Sequence, residues 1–136
     1  MSNFEIPSIV GMIAGNGIYP AIFAKAARKA GVPTLVAAAF IDETSPELQG
    51  LVDHIEWLRV GQLGKMIKHF KAHGVTQVVM VGQIAPKNLF DLRPDLRTLK
   101  MLSRVKERNA ESLFAAIAGE MESDGIGLLP ATTFLE

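Results

Sequence analysis

The chain has 136 residues, with fourteen Lys/Arg against fourteen Asp/Glu, 49% apolar residues and 21% charged ones. Those proportions describe one ordinary domain with a real core and exclude a disordered or fibrous chain. The absence of cysteine removes disulfides, thiolate zinc sites and cysteine nucleophiles together, and no apolar stretch reaches the roughly 18 residues of a membrane span. Met1 to Pro7 has no basic segment leading into an apolar run, so no signal peptide is evident and a cytosolic placement is permitted.

In chain order, Ile9, Val10, Met12, Ile13 and Ala14 make an apolar run short enough for a strand covered on both faces. The run ends in Gly15-Asn16-Gly17, residue types that tolerate positive φ, and Pro20 suits the first turn of a following helix. Strand, glycine turn and helix start together leave backbone N–H groups at a strand end, an arrangement that receives phosphates and other anions. Pro20 stands where the dinucleotide pattern G-x-G-x-x-G has its third glycine, and no P-loop sequence occurs. A connection that merely needs positive φ is the other reading of this turn.

Ile22, Phe23, Ala26 and Ala30 then recur at helical spacing up to Gly31, and Pro33 to Phe40 reads as a second buried strand. Asp42 lies where a ribose-binding acid would, among the loop residues Glu43, Thr44 and Ser45. Ser45 to Gly50 reads as a loop or a short helical turn. Asp53 to Val60 gives a third strand, followed by Gly61-Gln62-Leu63-Gly64-Lys65 and a helix with Leu63, Met66, Ile67 and Phe70 on one stripe. Val75 to Val81 is a fourth strand, and it runs into Gly82-Gln83, a second strand-to-glycine transition on the same sheet edge. Asn88 to Pro94 is irregular. Asp95 is expected to cap a helix whose apolar stripe is Leu96, Leu99, Leu102 and Val105, set against Arg97, Lys100, Arg104 and Lys106. Asn109 caps a last helix through Leu113, Ile117 and Met121 to Gly125, and Ile126 to Leu129 closes the chain's strands. Strands alternating with helices predict an α/β domain over residues 1–136, with a mainly parallel sheet of about five strands.

The zero net charge hides an asymmetry. Arg59 through Arg108 carries eleven Lys/Arg against Asp91, Asp95 and Glu107, a local balance of +8. A basic middle points to an anionic partner, or to solvated helix faces. His69 and His73 stand four apart on a helix, the spacing of a metal pair, but without a third ligand they read as a solvated pair. In Asp91-Leu-Arg93-Pro-Asp95, Arg93 either touches ligand or braces the loop against a neighbouring acid. No G-x-S-x-G elbow and no carboxylate cluster for a divalent metal occurs. Tyr19 and Trp57 give no stacking platform, so nucleic acid is not the expected partner.

Four segments in one order, I-A-G-N-G-I-Y-P, V-G-Q-L-G-K, V-G-Q-I-A-P-K and D-L-R-P-D-L-R-x-L-K, resemble the N-terminal domain of the UDP-2,3-diacylglucosamine pyrophosphatase family of lipid A biosynthesis. The resemblance covers essentially the whole chain. It implies a Rossmann-like three-layer domain beside a C-terminal domain, with ligand in the cleft between them. The reaction it implies is hydrolysis of UDP-2,3-diacylglucosamine to UMP and 2,3-diacylglucosamine 1-phosphate (lipid X), assisted by Mg²⁺ or Mn²⁺ in the complete enzyme. Carried over by position, Gly15, Asn16, Gly17 and Ile18 form a first substrate-contact segment and Val81, Gly82 and Gln83 a second. Gly61, Gln62, Gly64 and Lys65 flank them, with Arg93 as a further contact.

The catalytic aspartate of that family belongs to the second domain, which these 136 residues are expected to lack, so the chain alone is expected to bind no metal and to be inactive. Asn109-Ala110-Glu111 stands where many members have Gly-Asp-Asp, which separates this position from the family pattern. The implied location is cytoplasmic, peripheral at the inner face of the inner membrane, where the anionic glycolipid resides. Two rival readings stay open: a nucleotide-binding module without hydrolysis, and a structural domain that forms a homodimer through the Leu96 to Val105 helix.

Overall fold

Strands β1 (Ile9–Ala14), β2 (Thr34–Phe40), β3 (His54–Leu58), β4 (Gln77–Val81) and β5 (Gly127–Leu129) form one sheet in the order β3-β2-β1-β4-β5. Every neighbouring pair is parallel. The computed structural model describes residues 7–83, 94–107 and 109–129. Helix α1 (Tyr19–Lys29) and a 3₁₀ turn (Pro46–Gly50) cover one face of the sheet, where Val10, Met12, Ala14, Leu35, Ala37 and Val79 pack on Phe23, Ala24, Ala27 and Leu48. On the other face lie α2 (Leu63–Ala72), α3 (Leu96–Arg104) and α4 (Ala110–Ser123), with Ile13, Val36, Ala38, Phe40 and Val78 against Met66, Ile67, Phe70, Met101 and Met121. The result is the three-layer α/β fold expected from the alternating pattern. The inner strands read as continuous apolar runs because both faces are buried, and their side chains alternate between the two cores.

Several expected boundaries shorten. The third strand keeps only His54–Leu58 of the stretch expected from Asp53 to Val60, and the fourth begins at Gln77 rather than Val75. Val75 instead closes the turn after α2, its N–H donating to the Phe70 carbonyl at 3.0 Å. Two apolar stripes are also differently phased. In α1 the buried set is Pro20, Phe23, Ala24 and Ala27, which leaves Ile22 exposed. In α3 the buried residues are Thr98 and Met101, while Leu96 and Leu99 are 67% and 51% exposed.

The physical reason for the second shift is polar. The Thr98 hydroxyl donates to the Gly61 carbonyl and accepts the Leu63 N–H at 3.0 Å, so the helix turns Thr98 inward. Arg97 locks the same orientation by forking onto α4: Nε donates to Glu120 at 2.9 Å and Nη2 to Asp124 at 2.8 Å. The guanidinium holds the Asp124 carboxyl down at about 2. Lys71 and Arg104 also face Asp124 and Glu120, at 3.4 and 3.5 Å. Part of the basic middle is therefore neutralised internally by acids from the C-terminal flank.

Candidate functional site

The strand order reverses direction between β1 and β4. The chain moves outward from β1 through β2 to β3, then returns to β4 on the opposite side of β1. In open α/β sheets ligands bind at such a switch point, in the crevice beyond the carboxyl ends of the strands. Both glycine turns lie there: Gly15-Asn16-Gly17 follows β1, and Gly82-Gln83 follows its neighbour β4. Asn16 and Gln83 form an isolated antiparallel bridge, and the Asn16 N–H donates to the Gln83 carbonyl at 2.7 Å.

The bridge sorts the glycines by cause. A Cβ on Gly15 would stand 2.4 Å from the Gln83 oxygen and 2.5 Å from its nitrogen, so the backbone of the second turn occupies that space. Gly82, at φ +91°, would bring a Cβ within 2.7 Å of the Asn16 carbonyl oxygen. These two glycines serve the close approach of the turns to each other. Gly17 differs: its φ is +89° and a Cβ there would meet nothing within 4 Å, so its open side faces free space at the rim.

The amides sort in the same way. The Gly15 N–H is donated to the Val81 carbonyl at 2.7 Å and that of Asn16 to Gln83, so these two are spent within the fold. Helix α1 starts immediately afterwards, with Ile18 at its cap position and no capping side chain. Pro20 has no N–H, so among the described residues the first-turn amides at this edge are those of Tyr19 and Ala21. The other helix starts are closed by side chains. Asp95 accepts the Thr98 N–H at 2.9 Å as the cap of α3, and Asn109 accepts the Ser112 N–H at 2.8 Å as the cap of α4, as the sequence led one to expect.

The second oxygen of Asp95 reaches α2, accepting the Gly64 N–H at 2.8 Å and the Lys65 N–H at 3.3 Å. The flanking segment Gly61 to Lys65 is thus at the same sheet edge but turned to internal partners. Gln62 accepts the Arg59 N–H through Oε1 at 2.7 Å, and the Lys65 ammonium lies 3.6 Å from Glu56 on β3. Gly61 and Gln62 also line an apolar cavity of about 100 Å³ between the sheet and α2, α3 and α4. Ile13 and Met80, each near the end of a switch-point strand, form part of its wall, with Phe114 and Ile117 from α4. Arg93 lies outside the described residues.

Two residues at this edge carry no motif in the sequence. Thr44 is buried; its hydroxyl donates to the Ala14 carbonyl at 2.7 Å and accepts the Phe40 N–H at 2.8 Å, tying the ends of β1 and β2 together. Glu43 accepts from Asn16 Nδ2 at 3.1 Å. Its neighbour Asp42 is exposed at φ +66°, so it is Glu43, not the candidate ribose acid Asp42, that meets the glycine turn. Both signals are long-range contacts, invisible to local spacing.

The histidines lie elsewhere. His69, expected to be solvated, is buried, and its Nε2 is bonded to the Ala37 carbonyl at 2.9 Å. Since a carbonyl only accepts, Nε2 carries the proton and is unavailable as a metal ligand. Burial pushes the His69 pKa down; the Ala37 bond and Glu56 oppose this, while His73 and His54 add to it. His73 Nδ1 donates to the His69 carbonyl at 3.0 Å, and its ring stacks against His54 at 4.3 Å. Among the described residues no three His, Cys, Asp or Glu side chains are grouped to hold a metal ion, so they supply no donor set for the implied Mg²⁺ or Mn²⁺.

The model of the LpxI N-terminal domain matches residues 9–136, nearly the full length. The chain belongs to the LpxI N-terminal domain family. LpxI is a UDP-2,3-diacylglucosamine pyrophosphatase family of the lipid A pathway. No match is found among curated proteins. The LpxI match spans both glycine turns, the Gly61 to Lys65 segment and all five strands. Among the described residues no helix is long and apolar enough to cross a membrane.

Proposed function

We propose that this chain is the substrate-binding part of a UDP-2,3-diacylglucosamine pyrophosphatase and that hydrolysis depends on a catalytic aspartate and a divalent metal supplied by a second domain. The observation that carries the reading is the Asn16–Gln83 bridge, which joins the two glycine turns at the switch point of a parallel sheet. A crevice there is where an α/β sheet accepts ligand. The start of α1, with Gly17 and Ile18 at its mouth and no capping side chain, suits a phosphate, because a helix N-terminus is partly positive and the Tyr19 and Ala21 amides, though not Pro20, can donate there.

The edge is also apolar where a glycolipid needs it. Ile18, Tyr19 and Ile41 are 68%, 61% and 42% exposed beside the two turns, and the cavity wall begins at Ile13 and Met80. Phosphate at the helix start and hydrocarbon over this apolar border together fit an anionic glycolipid presented at the inner face of a membrane. Gly61, Gln62, Gly64 and Lys65 contribute through the cavity wall and through bracing by Asp95, and Arg93 adds a cation to the same substrate.

Isothermal calorimetry with lipid X is expected to give saturable binding to this chain, and an assay with UDP-2,3-diacylglucosamine and Mg²⁺ or Mn²⁺ no turnover until the C-terminal portion is added. Robust turnover by the chain alone would refute the placement of the catalytic acid elsewhere. A second reading, a nucleotide-binding module, draws on the acidic loop Asp42-Glu43 that follows β2 beside the switch point. Binding of UMP or ADP without any binding of lipid X would favour it.

A further inference from the structure

We infer that Glu43 is a positioning residue for Asn16, and that through it this position reads a neutral N–H or O–H donor on the ligand's sugar rather than a phosphate. The inference rests on the proposed reading of the rim as a glycolipid site. Asn16 is half-buried, and its Nδ2 lies 3.1 Å from Glu43 Oε1. A carboxylate offers acceptors only, so the chemistry of the contact decides which end of the amide faces Glu43: the NH₂ group must, and the carbonyl must face away. No donor among the described residues reaches Asn16 Oδ1, while its main-chain N–H is already committed to Gln83.

The amide therefore brings to the rim an acceptor that needs a donor. A phosphate has no such donor when ionised, so it gains no hydrogen bond from Asn16 Oδ1. Thr44, next in the chain, fixes the loop that carries Glu43 by clamping it to Ala14, one residue before the glycine turn. The carboxylate is thus held to the turn at both ends of the contact. Phosphate is left to the α1 start, and the sugar to Asn16.

The test exchanges donor and acceptor across the contact without changing shape or total charge. Lipid X binding to the full 136-residue chain is measured by calorimetry for wild type, N16D, E43Q and the double variant N16D/E43Q, with thermal unfolding as the folding control. N16D sets two carboxylates against each other and is expected to weaken binding about tenfold or more. E43Q lets the paired amides turn either way and is expected to cost about threefold. In N16D/E43Q the amide introduced at position 43 donates to the carboxylate introduced at position 16, whose other oxygen again offers an acceptor. Affinity is then expected to return to within about threefold of wild type. A double variant as weak as N16D, with an unchanged melting temperature, would mean that Asn16 donates to the ligand, and would overturn the inference while leaving the site itself standing. Failure of the wild-type chain to bind lipid X would instead sink the reading of the rim, and the inference with it.

Discussion

Replacing Gly15 by alanine is the sharpest perturbation of the switch point. The new Cβ would lie 2.4 Å from the Gln83 carbonyl oxygen and 2.5 Å from the Gln83 nitrogen, both backbone atoms that no rotamer change can move. The turns must separate by roughly half an ångström or more before the contact ceases to be repulsive. That movement strains the bonds from Gly15 N–H to Val81 and from Asn16 N–H to Gln83, each 2.7 Å long. Overpacking costs about 1–3 kcal/mol and each of the two weakened bonds about 1 kcal/mol, so a total loss of about 3–5 kcal/mol is expected.

For a domain of this size that lowers the melting temperature by about 10–20 °C. The comparison is Gly17→Ala, where φ is +89° but the space is open. Only the left-handed backbone is penalised there, at about 1–2 kcal/mol, or roughly 3–8 °C. Differential scanning calorimetry of the two variants, supported by urea titration, decides the matter. A Gly15→Ala shift no larger than that of Gly17→Ala would refute the argument that the two turns hold each other by backbone contact.

Further outcomes follow from the same contacts. Gly17→Trp should keep the fold and abolish lipid X binding in calorimetry, because its side chain enters space that is open in the free protein. Asp95→Ala should cost about 2–3 kcal/mol in urea unfolding, more than an ordinary cap, since one carboxylate serves two helices. Arg97→Met should cost about 1–2 kcal/mol by the same measurement, after allowance for the partial exposure of its ion pairs with Glu120 and Asp124. For His69 the sign is that of a base held neutral by folding. Its contribution is fully present above the ordinary histidine value of 6.5 and declines as pH falls below it, because the unfolded chain then takes up a proton that the folded one refuses. His69→Gln, which keeps a donor for the Ala37 carbonyl, should flatten the difference between urea midpoints measured on either side of that pH.

Much of the architecture was legible because periodicity and punctuation agreed. Continuous apolar runs marked strands buried on both faces, and Gly31, Gly74 and Gly125 marked where helices stop. The two glycine turns could be seen as strand ends, and their meeting at one edge followed once the sheet was taken as parallel. The phase of α3 was not legible, because leucine spacing alone pointed to Leu96 and Leu99. The structure buries Thr98 instead, for the sake of a hydroxyl that bonds a carbonyl 37 residues earlier. His69 misled for a related reason: a polar residue on a basic helix reads as exposed unless the carbonyl that receives it is known. Glu43 and Thr44 looked like loop filler because their roles depend on Asn16 and Ala14, 27 and 30 residues away. Sequence spacing reports neighbours along one element, and these residues act between elements.

The shared carboxylate of Asp95 has a mechanical corollary. Because it grips the first turns of α2 and α3 at once, neither helix can be displaced along its axis without loosening the other. A force applied at Asp95 would be felt at Gly64, 31 residues upstream, and, through the Asp95 N–H that donates to the Gly61 carbonyl at 3.0 Å, at one wall of the apolar chamber. One residue thereby yokes the start of α3 to the start of α2 and to the chamber wall.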